Sequence, residues 1–197
     1  MTTTISLADQ YSILAKQLET FADSLQPALD ETHAAFRTEL AKGAESLIKT
    51  APTTRMHFAF GSNMDMGQMA VRCPTARLLG SVVLPDHRIV FAGWSYGWGG
   101  AVATYEPRRR SSLPGVLWSL TASDVFALDR AEGVPTVYDR AFVKVLDEDA
   151  REHDALTYRM VRGSRSGRPS FEYVSQIAEA YERERFSTTQ LMKAARR

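Results

Sequence analysis

The stretch FAFGSNM, residues 58–64, runs an aromatic, apolar segment straight into Gly-Ser-Asn, with a helix expected from Met64. A strand feeding a helix through so small and polar a turn has a chemical use. Gly61 lets the backbone approach a ligand, and N–H groups around Ser62 to Met64 form a cradle for a carboxylate or oxyanion. The same residues also build ordinary turns, so the stretch has meaning only in its surroundings.

Downstream, short β-rich runs follow one another: 56–60, 76–84, 87–93, 101–107, 115–120, 140–146 and 155–161, each alternating or β-branched and bounded by turn residues. One helix is expected after Asn63. A second spans 122–131, where Thr121 and Asp124 form a Thr-x-x-Asp variant of the capping box and Gly133 marks the stop. A last helix, about 170–182, has Phe171, Val174, Ile177, Ala178 and Tyr181 on one face. Seven strands and three helices predict an α+β fold, a small mixed and strongly curved β-sheet or barrel with a few helices.

Upstream the texture changes. Residues 1–50 hold one glycine and one proline, and their apolar positions Leu7, Tyr11, Leu14, Leu18, Phe21 and Leu25 step by four and three. Pro27 breaks this helix, and a second pattern through Phe36, Leu40, Leu47 and Ile48 makes an N-terminal helical hairpin, joined by a linker at 51–54 to a domain over 55–192. The stripe suits packing on the parent domain or on its own second helix, with a homodimer seam as the alternative.

Composition narrows the partners. With 24 basic and 23 acidic residues the net charge is +1, so no global field recruits nucleic acid or an anionic membrane. No run approaches the roughly 18 to 20 apolar residues of a membrane span. The start MTTTISLADQ lacks the pattern of a signal peptide, and the single Cys73 forms no internal disulfide, which together point to the cytoplasm. His33, His57, His87 and His153 are scattered without metal-ligand spacing, and Cys73 reads as a buried structural thiol. The Gly-rich GWSYGWGG, 93–100, lacks the Lys-Ser/Thr of a phosphate loop and reads as a loop whose Trp94, Tyr96 and Trp98 cover one end of the core. The clusters RRR (108–110) and RGSRSGR (162–168) read as solvated loops.

Glu132 stands out. In LDRAEGV it ends a helix directly before Gly133, where the helix dipole disfavours a carboxylate. Either it is an exposed residue carrying a weak penalty, or it is partly buried with raised proton affinity and serves as base and then acid near neutral pH.

In this order the motifs resemble the γ-glutamylcyclotransferase superfamily: FAFGSNM, RCPTA, the Trp-Gly-Gly-Ala run at 98–101, GVLWSLT, LDRAEGV followed by Tyr138, ALTYRM and the C-terminal PSFEYVSQIAEAYE. The match covers roughly 56–192. Phe60 stands where the signature has tyrosine and Met64 where it has leucine, and the segment after Tyr181 lacks the usual Gly-Leu-Pro. The resemblance implies a cofactor-free enzyme that cyclises a small-molecule γ-glutamyl substrate to 5-oxoproline, with Glu132 as general base and acid. It further implies substrate binding by Phe60, Gly61, Ser62, Asn63, Met64, Gly100, Tyr138 and Tyr173, although the two tyrosines also read as ordinary core residues. A γ-glutamylamine cyclotransferase or a biosynthetic deprotecting enzyme differs only in the leaving group. A non-catalytic binding or assembly protein acting through its N-terminal helices is the alternative from another class.

Overall fold

The computed structural model describes residues 12–18, 20 and 54–196. The chain divides into two units, Met1–Thr53 and Thr54–Arg197. In the first, residues 12–18 and 20 are helical, while the expected hairpin partner and most of the apolar stripe lie outside the described residues.

The second unit is a closed barrel of five strands, β1 (Arg55–Ala59), β2 (Arg77–Ser95), β3 (Gly100–Leu120), β4 (Tyr138–Leu146) and β5 (Glu152–Met160), in the order β1-β3-β2-β4-β5. All neighbours are antiparallel except β1 and β5, which close the barrel in parallel with His57 opposite Leu156. Four helices accompany it: α1 (Met66–Arg72), α2 (Ala122–Glu132), α3 (Phe171–Arg183) and α4 (Thr189–Ala195). His57, Phe58 and Ala59 are consecutive and all buried, so β1 is covered on both faces.

Seven expected strands became five because two breaks are bulges within continuous strands. The ladder between β2 and β3 slips between Pro85 and His87, where Asp86 adopts φ 55° and Arg110 φ 60°. The Asp86 carboxylate there accepts the Arg110 N–H at 2.7 Å. Arg108 to Arg110 therefore belong to an irregular stretch of β3 and not to a separate loop, though they are exposed as expected.

The other departures are on surfaces. Trp94 and Tyr96 are 61% and 95% exposed and cover no core; only Trp98 packs inward, its ring 4.8 Å from that of Tyr173. On α3, Phe171 is 81% exposed, and the buried face runs through Tyr173, Ile177, Ala178, Ala180 and Tyr181. Phe171 is the first residue of α3, directly after the Ser170 cap, and the buried face begins two residues later at Tyr173. Helix α4, unforeseen, buries Leu191 and ties to the barrel through Gln190, which accepts the Ile89 N–H and donates to Ser111 and Ser112.

Burial of His57 makes a pH prediction. Its Nδ1 lies 3.0 Å from the Leu156 carbonyl, which only accepts, so Nδ1 carries a hydrogen. Burial lowers its pKa from 6.5 to about 4, against the raising effect of that hydrogen bond. The unfolded chain thus binds the extra proton first. The stabilisation is complete above about pH 6.5 and is lost by about pH 4, a change of about 3 kcal/mol. Urea unfolding across this window should show a steeper fall in stability for the native chain than for His57→Gln; equal slopes would mean that His57 is not held neutral.

Candidate active site

The site begins with the turn after β1. Phe60 and Gly61 leave the barrel, Ser62–Met64 form one turn of 3-10 helix, and Asp65 caps α1 by accepting the Gln68 N–H at 2.7 Å. The helix begins at Met66 and not at Met64. Two distant groups hold the turn: Trp118 of β3 donates its indole N–H to the Asn63 carbonyl at 3.0 Å, and Arg183 of α3 donates to the Met64 carbonyl at 2.6 Å.

Helix α2 delivers Glu132 to the same place. The expected capping box is present, with Thr121 accepting the Asp124 N–H and Asp124 accepting the Thr121 N–H. Thr75, just beyond α1, donates its hydroxyl to the same Asp124 carboxylate at 2.6 Å, which ties the two helices together. Asp129 fixes the flank by accepting the Tyr158 hydroxyl at 2.8 Å and pairing with Arg140. Gly133, left-handed at φ 66°, ends the helix one residue after Glu132.

The two elements meet at a hydrogen bond. Asn63 Nδ2 donates to Glu132 Oε1 at 2.8 Å, while Asn63 Oδ1 accepts from Arg72 at 2.7 Å and Gln68 at 3.1 Å. Two donors on Oδ1 fix which way the amide faces. Arg72 also stands 3.6 Å from Glu132 Oε1, whose side chain is 14% exposed. Burial raises the proton affinity of Glu132 above its ordinary value, opposed by the Asn63 hydrogen bond and the Arg72 charge. Oε2 accepts no hydrogen bond among the described residues.

Two tyrosines grip one residue of β3 beyond the reach of β1. Tyr138 donates its hydroxyl to the Ala103 carbonyl at 2.7 Å, and the Ala103 N–H donates to the Tyr173 hydroxyl at 3.2 Å. Tyr173 therefore spends no hydrogen on Ala103, and the Ser62 side chain bonds to the same hydroxyl. Burial pushes the Tyr173 hydroxyl up to about 12 and that of Tyr138 well above its ordinary value.

Ser62, Glu132, Tyr138 and Tyr173 stand between two hollows. One is an outer cavity of about 270 Å³ that also reaches Arg72, Trp98 and Arg130; the other is an inner chamber of about 40 Å³ that includes Phe60, Gly61 and Asn63. Among the described residues, the N–H groups of Gly61, Ser62 and Asn63 meet no acceptor.

Two expected binding residues fall elsewhere. Met64 is fully buried, lines neither hollow and gives its N–H to the Gly61 carbonyl at 3.0 Å. Gly100 also lines neither. A Cβ there would lie 2.7 Å from the Ser170 nitrogen, so glycine serves a close passage of two chain segments. Phe60 stacks edge-on against Tyr105 with centroids 5.4 Å apart and offers no polar atom. Sequence reasoning missed Arg72 and Asp129. Asp129 was readable as the residue one helical turn before Glu132, on the same face.

Cys73 is buried, and its thiol donates to the Asp124 carbonyl at 3.4 Å. No group of three or more His, Cys, Asp or Glu able to hold a metal occurs among the described residues, nor any helix long and apolar enough to cross a membrane. A further cavity of about 180 Å³ beside α4 contains none of the clustered residues.

Comparison with known proteins gives a consistent picture. The AIG2-like family model matches residues 112–189. A Mus musculus protein named gamma-glutamylcyclotransferase is 30% identical over 129 residues, 63% of this chain and 68% of that one. Its Bos taurus namesake is 28% identical over 123 residues, 60% of this chain and 65% of that one, so the chain spans about two thirds of each relative. A solved structure named gamma-glutamyl cyclotransferase superposes with a TM-score of 0.67 at 25% identity, covering 72% of this chain and 86% of that one. A curved barrel, a Gly-Ser-Asn turn and a buried glutamate thus accompany a relationship in sequence and in fold, and the chain belongs to the γ-glutamylcyclotransferase-like superfamily.

Proposed function

We propose that the protein cyclises the γ-glutamyl group of a small amide to 5-oxoproline and releases the attached amine. The observation that carries this reading is the largely buried Glu132 carboxylate, hydrogen-bonded to Asn63 beside a turn whose Gly61, Ser62 and Asn63 N–H groups lack partners among the described residues.

Glu132 takes a proton from the substrate's α-ammonium, and the freed amine attacks the γ-carbonyl to close a five-membered ring. The carbonyl oxygen becomes an oxyanion, which the N–H groups of Gly61, Ser62 and Asn63 receive. Each such donor is worth about 3 kcal/mol. The C–N bond to the departing nitrogen then breaks as Glu132 returns its proton there. The α-nitrogen sheds two protons in all, and the released amine carries both, so no water or co-reactant is consumed. Nucleophile and carbonyl share one molecule, and orientation alone supplies on the order of 7 kcal/mol. Tyr173, with its O–H unused by Ala103, positions the glutamyl end.

The test is incubation with mixed γ-glutamyl compounds and mass detection of 5-oxoproline with the released amine. Absence of 5-oxoproline from every compound would overturn the reading.

Arg72 tunes the base. Its charge favours the ionised Glu132, so Arg72→Met raises the carboxyl pKa further. The ascending limb of kcat/KM against pH should move to higher pH in the variant. An unmoved limb would show that the guanidinium does not act on the base.

A further inference from the structure

The outer cavity is lined by two chemically different sets of residues. The set shared with the inner chamber is Glu132, Ser62, Tyr138 and Tyr173, where the γ-carbonyl must sit if the reaction proposed above holds. The rest of the lining includes Trp94, Val137, Arg130 and Trp98, the last with its ring 4.8 Å from that of Tyr173. Trp94 is 61% exposed and Val137 43% exposed, so they mark the mouth. Arg130 is also exposed and makes no ion pair among the described residues, whereas Arg72 is engaged with Asn63 and Glu132. In the reaction proposed above, this remaining lining is what is left to receive the group bonded to the departing nitrogen.

We propose that the mouth is a leaving-group subsite for an aromatic amino acid with a free carboxylate, its ring against Trp94 and Trp98 and its carboxylate on Arg130. The chemistry selects against the alternatives. Indoles offer flat apolar area to a ring. A guanidinium matches a carboxylate through paired N–H donors. The Arg130 guanidinium repels the second ammonium of a diamine. A cavity of about 270 Å³ suits a dipeptide-sized molecule rather than a polypeptide.

This proposal rests on the cyclisation reading, and the experiment separates the two. The native chain is assayed for 5-oxoproline with γ-glutamyl-phenylalanine, γ-glutamyl-glycine, γ-glutamyl-phenethylamine and γ-glutamyl-putrescine. The expected kcat/KM for the phenylalanine compound exceeds that for the glycine compound by roughly tenfold, the putrescine compound being poorest. In Trp94→Ala that ratio should fall to about threefold or less, and in Arg130→Met the phenylalanine and phenethylamine compounds should become equal. Both positions are exposed, so neither change strains the fold. Equal use of glycine and phenylalanine by the native chain, or ratios unmoved by both substitutions, overturns the subsite while leaving the reaction intact. If no compound is cyclised, the reaction falls, and calorimetric titration decides the subsite. Tighter binding of γ-glutamyl-phenylalanine than of γ-glutamyl-glycine, lost in Trp94→Ala, supports it, and equal affinity overturns it.

Discussion

Glu132→Gln is expected to fold normally and to lose about 1,000-fold in 5-oxoproline formation, roughly 4 kcal/mol of transition-state stabilisation. The amide keeps the shape of the carboxylate and an oxygen for the Asn63 N–H, so the contact between turn and helix survives. What it lacks is the capacity to take and return a proton. Stability should move the other way. Burial raises the Glu132 pKa, so ionising it costs more in the folded than in the unfolded chain. That cost grows as pH rises from the unfolded value through the folded one. The glutamine variant escapes it, and its melting temperature relative to the native chain should be higher at pH 7 than at pH 4. Retained turnover in a folded Glu132→Gln protein would remove this residue from the mechanism.

The largest effect on stability is expected at Gly115, in β3 where it passes β1. A Cβ built there would lie 2.3 Å from the Ala59 carbonyl oxygen and 2.5 Å from the Phe58 ring. The first neighbour is backbone and cannot swing aside, so Gly115→Ala must push β1 away from β3 or distort both. The cost should be about 3 kcal/mol, near the upper end for overpacking, or a fall of roughly 6 to 12 °C in Tm. Because Ala59 is paired with Val116 and leads directly into Phe60 and Gly61, activity should fall with stability. Gly67→Ala is the control. A Cβ in α1 meets nothing closer than 3.4 Å, and the change should be neutral or stabilising. A Gly115→Ala protein melting with the native chain would mean that the strands are not packed this closely.

Local signals were readable where local chemistry decides the outcome. The Thr121 and Asp124 cap and the Gly133 stop fixed α2 to within a residue at each end, because both devices act within a few positions. The turn at Gly61 was visible for the same reason. Sequence reading failed where the partner lies far along the chain. Pro85 and Asp86 look like a break between strands, yet the cross-strand ladder with Pro107 and Ser112 carries β2 through them. The role of Gly100 depends on Arg168 to Ser170, and that of Arg72 on Asn63 and Glu132; neither proximity is written in the residues themselves. Met64 was assigned to the cradle by adjacency, but a single 3-10 turn directs its N–H back to Gly61.

Closure of the barrel through His57 and Leu156 joins positions 99 residues apart. During synthesis, β1 emerges early and waits for β3 and then β5, the last strand to leave the ribosome. Until then a nascent chain displays an unpaired apolar ribbon, a template for aggregation between neighbouring polypeptides. Messages truncated before β5 should therefore yield insoluble product rather than a smaller soluble fragment.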